Sequence, residues 1–125
     1  MSQILIVDDE STIRALLRQA LEYGGHDVTE ASDGLEGLER CRSVRPDLVL
    51  TDLVMPELSG FELIALLRRE FPSTAIIAIS GSSPRELEQA RQLGAFYTFS
   101  KPFDLWDLMA TVDTLCQQEN VAAAD

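Results

Sequence analysis

The chain has 125 residues and a formal net charge of −11, with 46% apolar and 25% charged residues. This length and composition are typical of one globular domain with a single core. Nucleic-acid phosphates are bound by clustered Lys and Arg, so the acidic balance argues against direct nucleic-acid binding. No apolar stretch approaches the roughly 20 residues that span a bilayer. We therefore expect a cytoplasmic protein that does not bind membranes.

Apolar patterning predicts strands that alternate with helices along the chain. Runs typical of buried parallel strands occupy residues 4–7, 28–31, 48–51, 75–79 and 96–99. Apolar residues at helical spacing occupy residues 12–23, 33–45, 61–70, 83–94 and 105–118. The inward-facing positions of the second helix are predicted to include Leu35 and Leu38. A capping box is predicted at the fourth helix, with Ser83 as N-cap, Pro84 in the first turn and Glu86 three residues after the cap.

Five such alternations predict an α/β fold, a doubly wound five-stranded parallel sheet of flavodoxin-like order 2-1-3-4-5 with five helices on both faces. The domain is expected to cover residues 1–118. Residues 119–125 are expected to form a flexible C-terminal tail or the start of a linker.

Polar residues follow the strands at the edge where such sheets bind ligands. Asp8 and Asp9 follow the first strand, Asp52 follows the third, Ser80 ends the fourth, and Lys101 follows the fifth. Two like charges about 4 Å apart repel by roughly 4 kcal/mol at an effective dielectric constant of 20. Lys101 offers one compensating charge, and hard oxygen ligands favour Mg²⁺ as a second cation.

A carboxylate beside Mg²⁺ and a lysine is a suitable nucleophile for phosphoryl transfer. A simpler interpretation makes Asp8 and Asp9 caps of the first helix and Lys101 a solvated side chain. That interpretation is adequate for each residue alone, but it does not explain why all five polar residues follow strand ends.

Several short motifs then identify a family. They are Ile4–Glu10 with its acidic pair, Thr51–Pro56, Ser59–Gly60, Ser80–Gly81, Leu93–Ala95 and Lys101–Phe103. In this order, over nearly the whole chain, they resemble the receiver domains of two-component response regulators. The resemblance implies that Asp52 is the phosphoacceptor and that Lys101 and Ser80 contact the phosphoryl oxygens.

The resemblance also implies a Mg²⁺ site. Asp9 would be a direct ligand, Asp8 a nearer or water-mediated one, Asp52 a further carboxylate ligand, and Val54 a ligand through its backbone carbonyl. The phosphodonor would be a sensor histidine kinase or a histidine phosphotransfer protein, and small phosphodonors often suffice. The domain would act as a switch on a downstream protein target or a fused effector domain, with no enzymatic activity beyond transfer to Asp52 and hydrolysis.

Three positions concern switching and signal lifetime. Thr98 stands where the family has an aromatic residue that turns inward, and its neighbour Tyr97 is expected on the opposite side of the strand. The family positions that orient or exclude the attacking water are Val54 and Ser82 here. Neither offers an amide or a carboxylate, which predicts a long-lived phosphoryl group.

Other aromatic, histidine and cysteine residues receive separate interpretations. Phe96, Tyr97 and Phe99 have two interpretations of about equal weight: they form part of an output surface with the fourth and last helices, or most of them belong to the core. Trp106 is interpreted as a partly buried packing residue in preference to a partner anchor, and His26 as an exposed loop residue. Two buried cysteines without chemistry are expected at positions 41 and 116.

Several alternatives remain open. The chain is either a stand-alone receiver or the receiver of a longer regulator with a missing effector domain. A Mg²⁺-dependent phosphatase with an aspartyl nucleophile is disfavoured, because Val54 stands where such enzymes carry a second acid and the chain has no room for a cap. A flavin-binding protein lacks support, because no phosphate loop follows the first strand. A pseudo-receiver is disfavoured by the complete set of charged residues.

Overall fold

The computed structural model describes the backbone of residues 2–124 and the side chains of residues 2–117. Within this range the elements are β1 (Gln3–Val7), α1 (Ser11–Tyr23), β2 (Asp27–Ala31), α2 (Gly34–Val44), β3 (Leu48–Thr51), α3 (Gly60–Glu70), β4 (Ala75–Ser80), α4 (Pro84–Leu93), β5 (Tyr97–Ser100) and α5 (Leu105–Ala124). The strands form one parallel sheet in the order β2-β1-β3-β4-β5. The predicted fold class and strand order are confirmed.

Side chains of the central strands are buried on both faces of the sheet. Because successive side chains of a strand alternate between its faces, Leu5 and Val7 of β1 pack with α2, α3 and α4. Ile4 and Ile6 pack on the other side with α1 and α5. This arrangement explains the continuous apolar runs in the sequence, and each fully buried Leu or Ile contributes roughly 1.5–3 kcal/mol.

The second helix approaches the sheet through its glycines. α2 buries Gly34, Gly37, Leu38 and Cys41, and a Cβ atom on Gly37 would lie 3.0 Å from the Val7 side chain. Since the backbone itself contacts the sheet, Leu35 lies outside this buried stripe and is half exposed. The prediction that Leu35 faces inward is therefore wrong.

The predicted capping box at α4 is only half formed. Pro84 begins the helix and Ser83 Oγ accepts from the Glu86 amide at 3.3 Å, but the Glu86 carboxylate accepts from the Ser83 hydroxyl and not from its backbone. The complete box lies at α3 instead. There the Ser59 side chain accepts from the Glu62 amide, and the Glu62 side chain accepts from the Ser59 backbone.

Both cysteines are buried, as predicted. Burial raises the pKa of the Cys41 thiol to about 12 and also raises the pKa of Cys116, so neither is a thiolate at neutral pH. No helix within residues 2–124 combines the length and hydropathy needed to cross a bilayer. Side chains from residue 118 onward lie outside the described part of the chain, and the domain boundary before residues 119–125 stays a prediction.

Gly60, the first residue of α3, is required by close backbone packing. A Cβ atom there would overlap the carbonyl oxygen of Asp52 and lie 2.6 Å from the Cα atom of Leu53. Because backbone atoms cannot move aside cheaply, we expect Gly60→Ala to lower the free energy of unfolding by about 2 kcal/mol in a denaturant titration. Gly81→Ala is the matched control, since its Cβ atom would meet no heavy atom within 4 Å. Equal stability of the two variants would contradict this packing.

Candidate functional site

The polar residues predicted to meet do meet at one edge of the sheet. Asp8 follows β1, Asp52 follows β3, Ser80 ends β4, and Lys101 follows β5. Parallel strands place all four at the same edge. An open cavity of about 610 Å³ lies there, and its lining consists of Asp9, Glu10, Asp52, Val54, Ser80, Gly81, Ser82, Glu86 and Lys101. The buried Asp8 lies next to this cavity, in contact with Lys101.

The Lys101 ammonium group connects the acidic residues. Its Nζ atom lies 3.1 Å from Asp8 Oδ2, 3.2 Å from Asp52 Oδ2 and 3.3 Å from Glu10 Oε1. An ammonium group has three N–H donors, so one donor is available for each carboxylate. The ends of β1, β3 and β5 are therefore joined through one side chain.

This arrangement shifts two pKa values. Burial alone would lower the pKa of Lys101, but its hydrogen bonds and the charges of Asp8 and Asp52 outweigh burial and raise it. Burial raises the pKa of Asp8, and hydrogen bonds from the Glu10 amide and from Lys101 offset this only in part. Lys101 is thus firmly charged, whereas the Asp8 carboxylate lacks full compensation.

Asp52 is held on both of its carboxylate oxygens. Oδ1 accepts from the amide of Leu53 at 2.7 Å and from the amide of Val54 at 3.4 Å, while Oδ2 accepts from Lys101. The Asp52 amide donates to the carbonyl oxygen of Val7, which anchors the residue to β1. The carboxylate is consequently oriented before any ligand arrives.

Four acids lie close enough to share one cation. Single carboxylate oxygens of Asp8, Asp9, Glu10 and Asp52 all lie within 4.8 Å of one another. One ammonium group cannot balance four carboxylates. Hard oxygen donors with an open side toward solvent suit Mg²⁺, which keeps several waters when bound. The donor set therefore fits the predicted ion.

Sequence reasoning missed the contacts that two residues make in this site. Glu10 contacts Lys101 and belongs to the acidic group, and its position directly after the Asp8–Asp9 pair was the available signal. Glu10 is also the N-cap residue of α1 but makes no side-chain cap. Ser82 was considered only for water control, yet its Oγ atom lies 2.9 Å from the Oγ atom of Ser80.

Successive side chains of β5 point to opposite faces of the sheet, as predicted. Thr98 pairs with Ala78, and Phe99 pairs with Ile79 and packs in the core formed with α1 and α5. Tyr97 is one residue from Thr98 and so faces the opposite side. Phe96 and Tyr97 are about half exposed, and the Arg68 guanidinium lies 5.1 Å from the centre of the Phe96 ring. The aromatic group is thus divided between core and surface.

Two further interpretations were wrong. Trp106 is 85% exposed, because it lies about 200° around α5 from the buried Leu108. The His26 side chain is only 10% exposed, and its Nε2 atom lies 3.3 Å from Asp113 Oδ1 on α5. Packing against α5 therefore covers a residue that the sequence places in a turn.

Comparison with known proteins gives a consistent family. The model of the response regulator receiver domain matches residues 4–113. Over 124 residues, 97% of this chain and 51% of the relative, the chain is 36% identical to the alkaline phosphatase synthesis transcriptional regulatory protein PhoP of Bacillus subtilis. Over 127 residues it is 35% identical to the response regulator MprA of Mycobacterium ulcerans, covering 98% of this chain and 55% of that protein. The chain thus spans about half the length of these relatives.

Solved structures share the fold over almost their whole length. A response regulator receiver domain protein from Clostridium thermocellum has a TM-score of 0.90 and 30% identity, covering 98% of this chain and 99% of that chain. The chemotaxis protein CheY4 of Vibrio cholerae has a TM-score of 0.84 and 30% identity, covering 92% and 98%. Since sequence, fold and family model agree, the chain belongs to the response regulator receiver domains of two-component systems.

Proposed function

We propose that Asp52 is the phosphoacceptor of this receiver domain and that its phosphorylation changes the binding of a partner. The observation that supports this assignment most strongly is the carboxylate of Asp52 itself. It is the acid that lines the cavity while being held by two backbone amides and by Lys101. Family membership supports phosphorylation-dependent signalling, and this geometry favours Asp52 as the residue that is phosphorylated.

The proposed reaction transfers a phosphoryl group from a phosphohistidine. A carboxylate oxygen of Asp52 attacks the phosphorus atom, an O–P bond forms, and the N–P bond of the donor breaks, with its electron pair left on the imidazole nitrogen. Lys101, already 3.2 Å from Asp52 Oδ2, is placed to bind an oxygen of the transferred group. Ser80 lines the same cavity and supplies a hydroxyl donor.

The proposed Mg²⁺ ligands are the carboxylates of Asp8, Asp9 and Asp52 and the backbone carbonyl of Val54. Glu10 adds a nearby carboxylate. When bound, Mg²⁺ neutralises charge on the transferring phosphoryl oxygens. Lys101 contributes by holding Asp52 in place, and Asp8 contributes by holding Lys101.

The proposed donor is a sensor histidine kinase or a histidine phosphotransfer protein in the cytoplasm. Phosphorylation adds about two negative charges at the sheet edge, and a switch follows if these charges favour one conformation. The output is either a downstream protein target or a fused effector domain. Exposed Phe96 and Tyr97 are candidate contacts for either.

Phosphorylation by a small phosphodonor tests the assignment. With Mg²⁺ present, we expect the intact mass of the chain to increase by one phosphoryl group, because the site carries its own catalytic groups. Asp52→Asn removes the nucleophile and should show no increase. Asp113→Asn is the matched control and should behave as the wild type, because Asp113 is exposed on α5 and contacts His26, at the opposite edge of the sheet from Asp52. Full phosphorylation of Asp52→Asn would contradict the proposal.

The side chain at position 54 should control the lifetime of the phosphoryl group. Val54 is 65% exposed at the cavity and offers no hydrogen bond to an attacking water. We expect Val54→Asn, which can orient water, to lose phosphate at least about tenfold faster than the wild type, and Val54→Leu to match the wild type. Repeated mass measurements after donor removal give these rates. Equally fast loss from all three proteins would be the contrary result.

The buried Asp8 carboxylate should lower the free energy of unfolding when no metal cation is bound beside it. Its folded-state pKa is raised, so its contribution to stability is present at acidic pH and is lost as pH rises through that pKa. At neutral pH in a chelator, we expect Asp8→Asn to raise the free energy of unfolding by about 1 kcal/mol. The variant should also gain less stability than the wild type from millimolar Mg²⁺.

The matched control for Asp8 is Glu39→Gln, which removes the same charge from the exposed face of α2. It corrects for the general relief of repulsion in a chain of net charge −11 and should change stability less. A lower stability of Asp8→Asn than of the wild type, measured by denaturant titration in the chelator, would contradict the account.

A further inference from the structure

The hydroxyl group of Ser80 is contacted by the residue two positions further along the chain. Ser80 is 2% exposed, and its Oγ atom lies 2.9 Å from Ser82 Oγ and 3.4 Å from the Ser82 amide nitrogen. Both serines line the cavity that contains Asp52. The Ser80 hydroxyl therefore lies at the site and is already hydrogen-bonded to Ser82.

The backbone contact indicates which way this hydrogen bond runs. An amide N–H can only donate, so Ser80 Oγ is an acceptor on the side that faces Ser82. If the Ser82 hydroxyl also donates, the Ser80 proton is left free to point elsewhere. If Ser80 donated to Ser82 instead, an arriving phosphoryl oxygen would meet a lone pair and be repelled.

We propose that Ser82 is a positioning residue that donates to Ser80 Oγ and thereby directs the Ser80 hydroxyl proton toward the phosphoryl group on Asp52. The inference rests on the proposed function, because it requires Asp52 to carry that group. Ser82 touches none of the reacting atoms in this account. Its effect passes entirely through Ser80.

The local chain geometry supports this role. Gly81 separates the two serines, and Ser83, the next residue, is the N-cap of α4. Ser82 is thus held between the end of β4 and the start of α4, and the Ser80 contact lies within a segment that is anchored on both sides. A Cβ atom on Gly81 would meet no heavy atom within 4 Å, so the contact does not depend on crowding at that glycine.

The test measures binding of beryllium fluoride, a phosphoryl mimic, to the full chain in saturating Mg²⁺ by titration calorimetry. We expect Ser82→Ala to weaken binding of the mimic roughly five- to tenfold, the loss of about one hydrogen bond. Affinity for Mg²⁺ alone should stay unchanged, because neither serine is a proposed ligand. Ser82→Thr, which retains the hydroxyl group, should bind the mimic as tightly as the wild type.

Two further variants separate positioning from general loosening of the loop. Ser83→Ala removes the α4 cap and should lower stability while leaving affinity for the mimic unchanged. In the Ser80→Ala background, adding Ser82→Ala should cause no further loss, since its effect passes through Ser80. Equal affinity of Ser82→Ala and the wild type, or additive losses in the double variant, would overturn the inference. Failure of the wild type to bind the mimic would instead overturn the proposed function, and this inference with it.

Discussion

The ion pairs between the Lys101 ammonium and the acids at the sheet edge are the interaction on which the site depends. Lys101 lies 3.1–3.3 Å from Asp8 and Glu10, which follow β1, and from Asp52, which follows β3. The parallel sheet, in the observed strand order, places these segments at one edge. The fold therefore brings the acids together, and the positive charge of Lys101 reduces the repulsion between them.

One ammonium group does not balance the negative charge of the four carboxylates, so the site stays acidic. Burial raises the pKa of Asp8 despite Lys101, so the edge retains an attraction for further positive charge. Two well-packed cores, one on each face of the sheet, allow the fold to tolerate such strain. The buried apolar side chains that stabilise the fold lie in these two cores. The acids lie at the strand ends, where hydrogen bonds to neighbouring strands already hold the backbone.

Much of the fold could be predicted from short-range patterns in the sequence, and much of the site from a general rule for parallel sheets. Buried runs identified the strands, and the rule for parallel sheets brought Asp52 to Lys101. The exposure of single side chains was harder to predict. Helical spacing sets the angle between Trp106 and Leu108 on α5, but it does not show whether another element covers Trp106. His26 is covered by a contact with Asp113 of α5, far away in sequence, and a spacing pattern does not carry that information. The contact of Ser82 with Ser80 likewise depends on loop geometry.

We propose that Asp52, and no other acid of the cluster, carries the phosphoryl group. Borohydride reduction of the phosphorylated chain converts a phosphoaspartate to homoserine, and peptide mass spectrometry then identifies its position. We expect homoserine at position 52 alone, because the Asp52 carboxylate lines the cavity and both of its oxygens are held by hydrogen bonds. Homoserine at position 8 or 9, or an unmodified Asp52 in a chain that has gained a phosphoryl group, would contradict it.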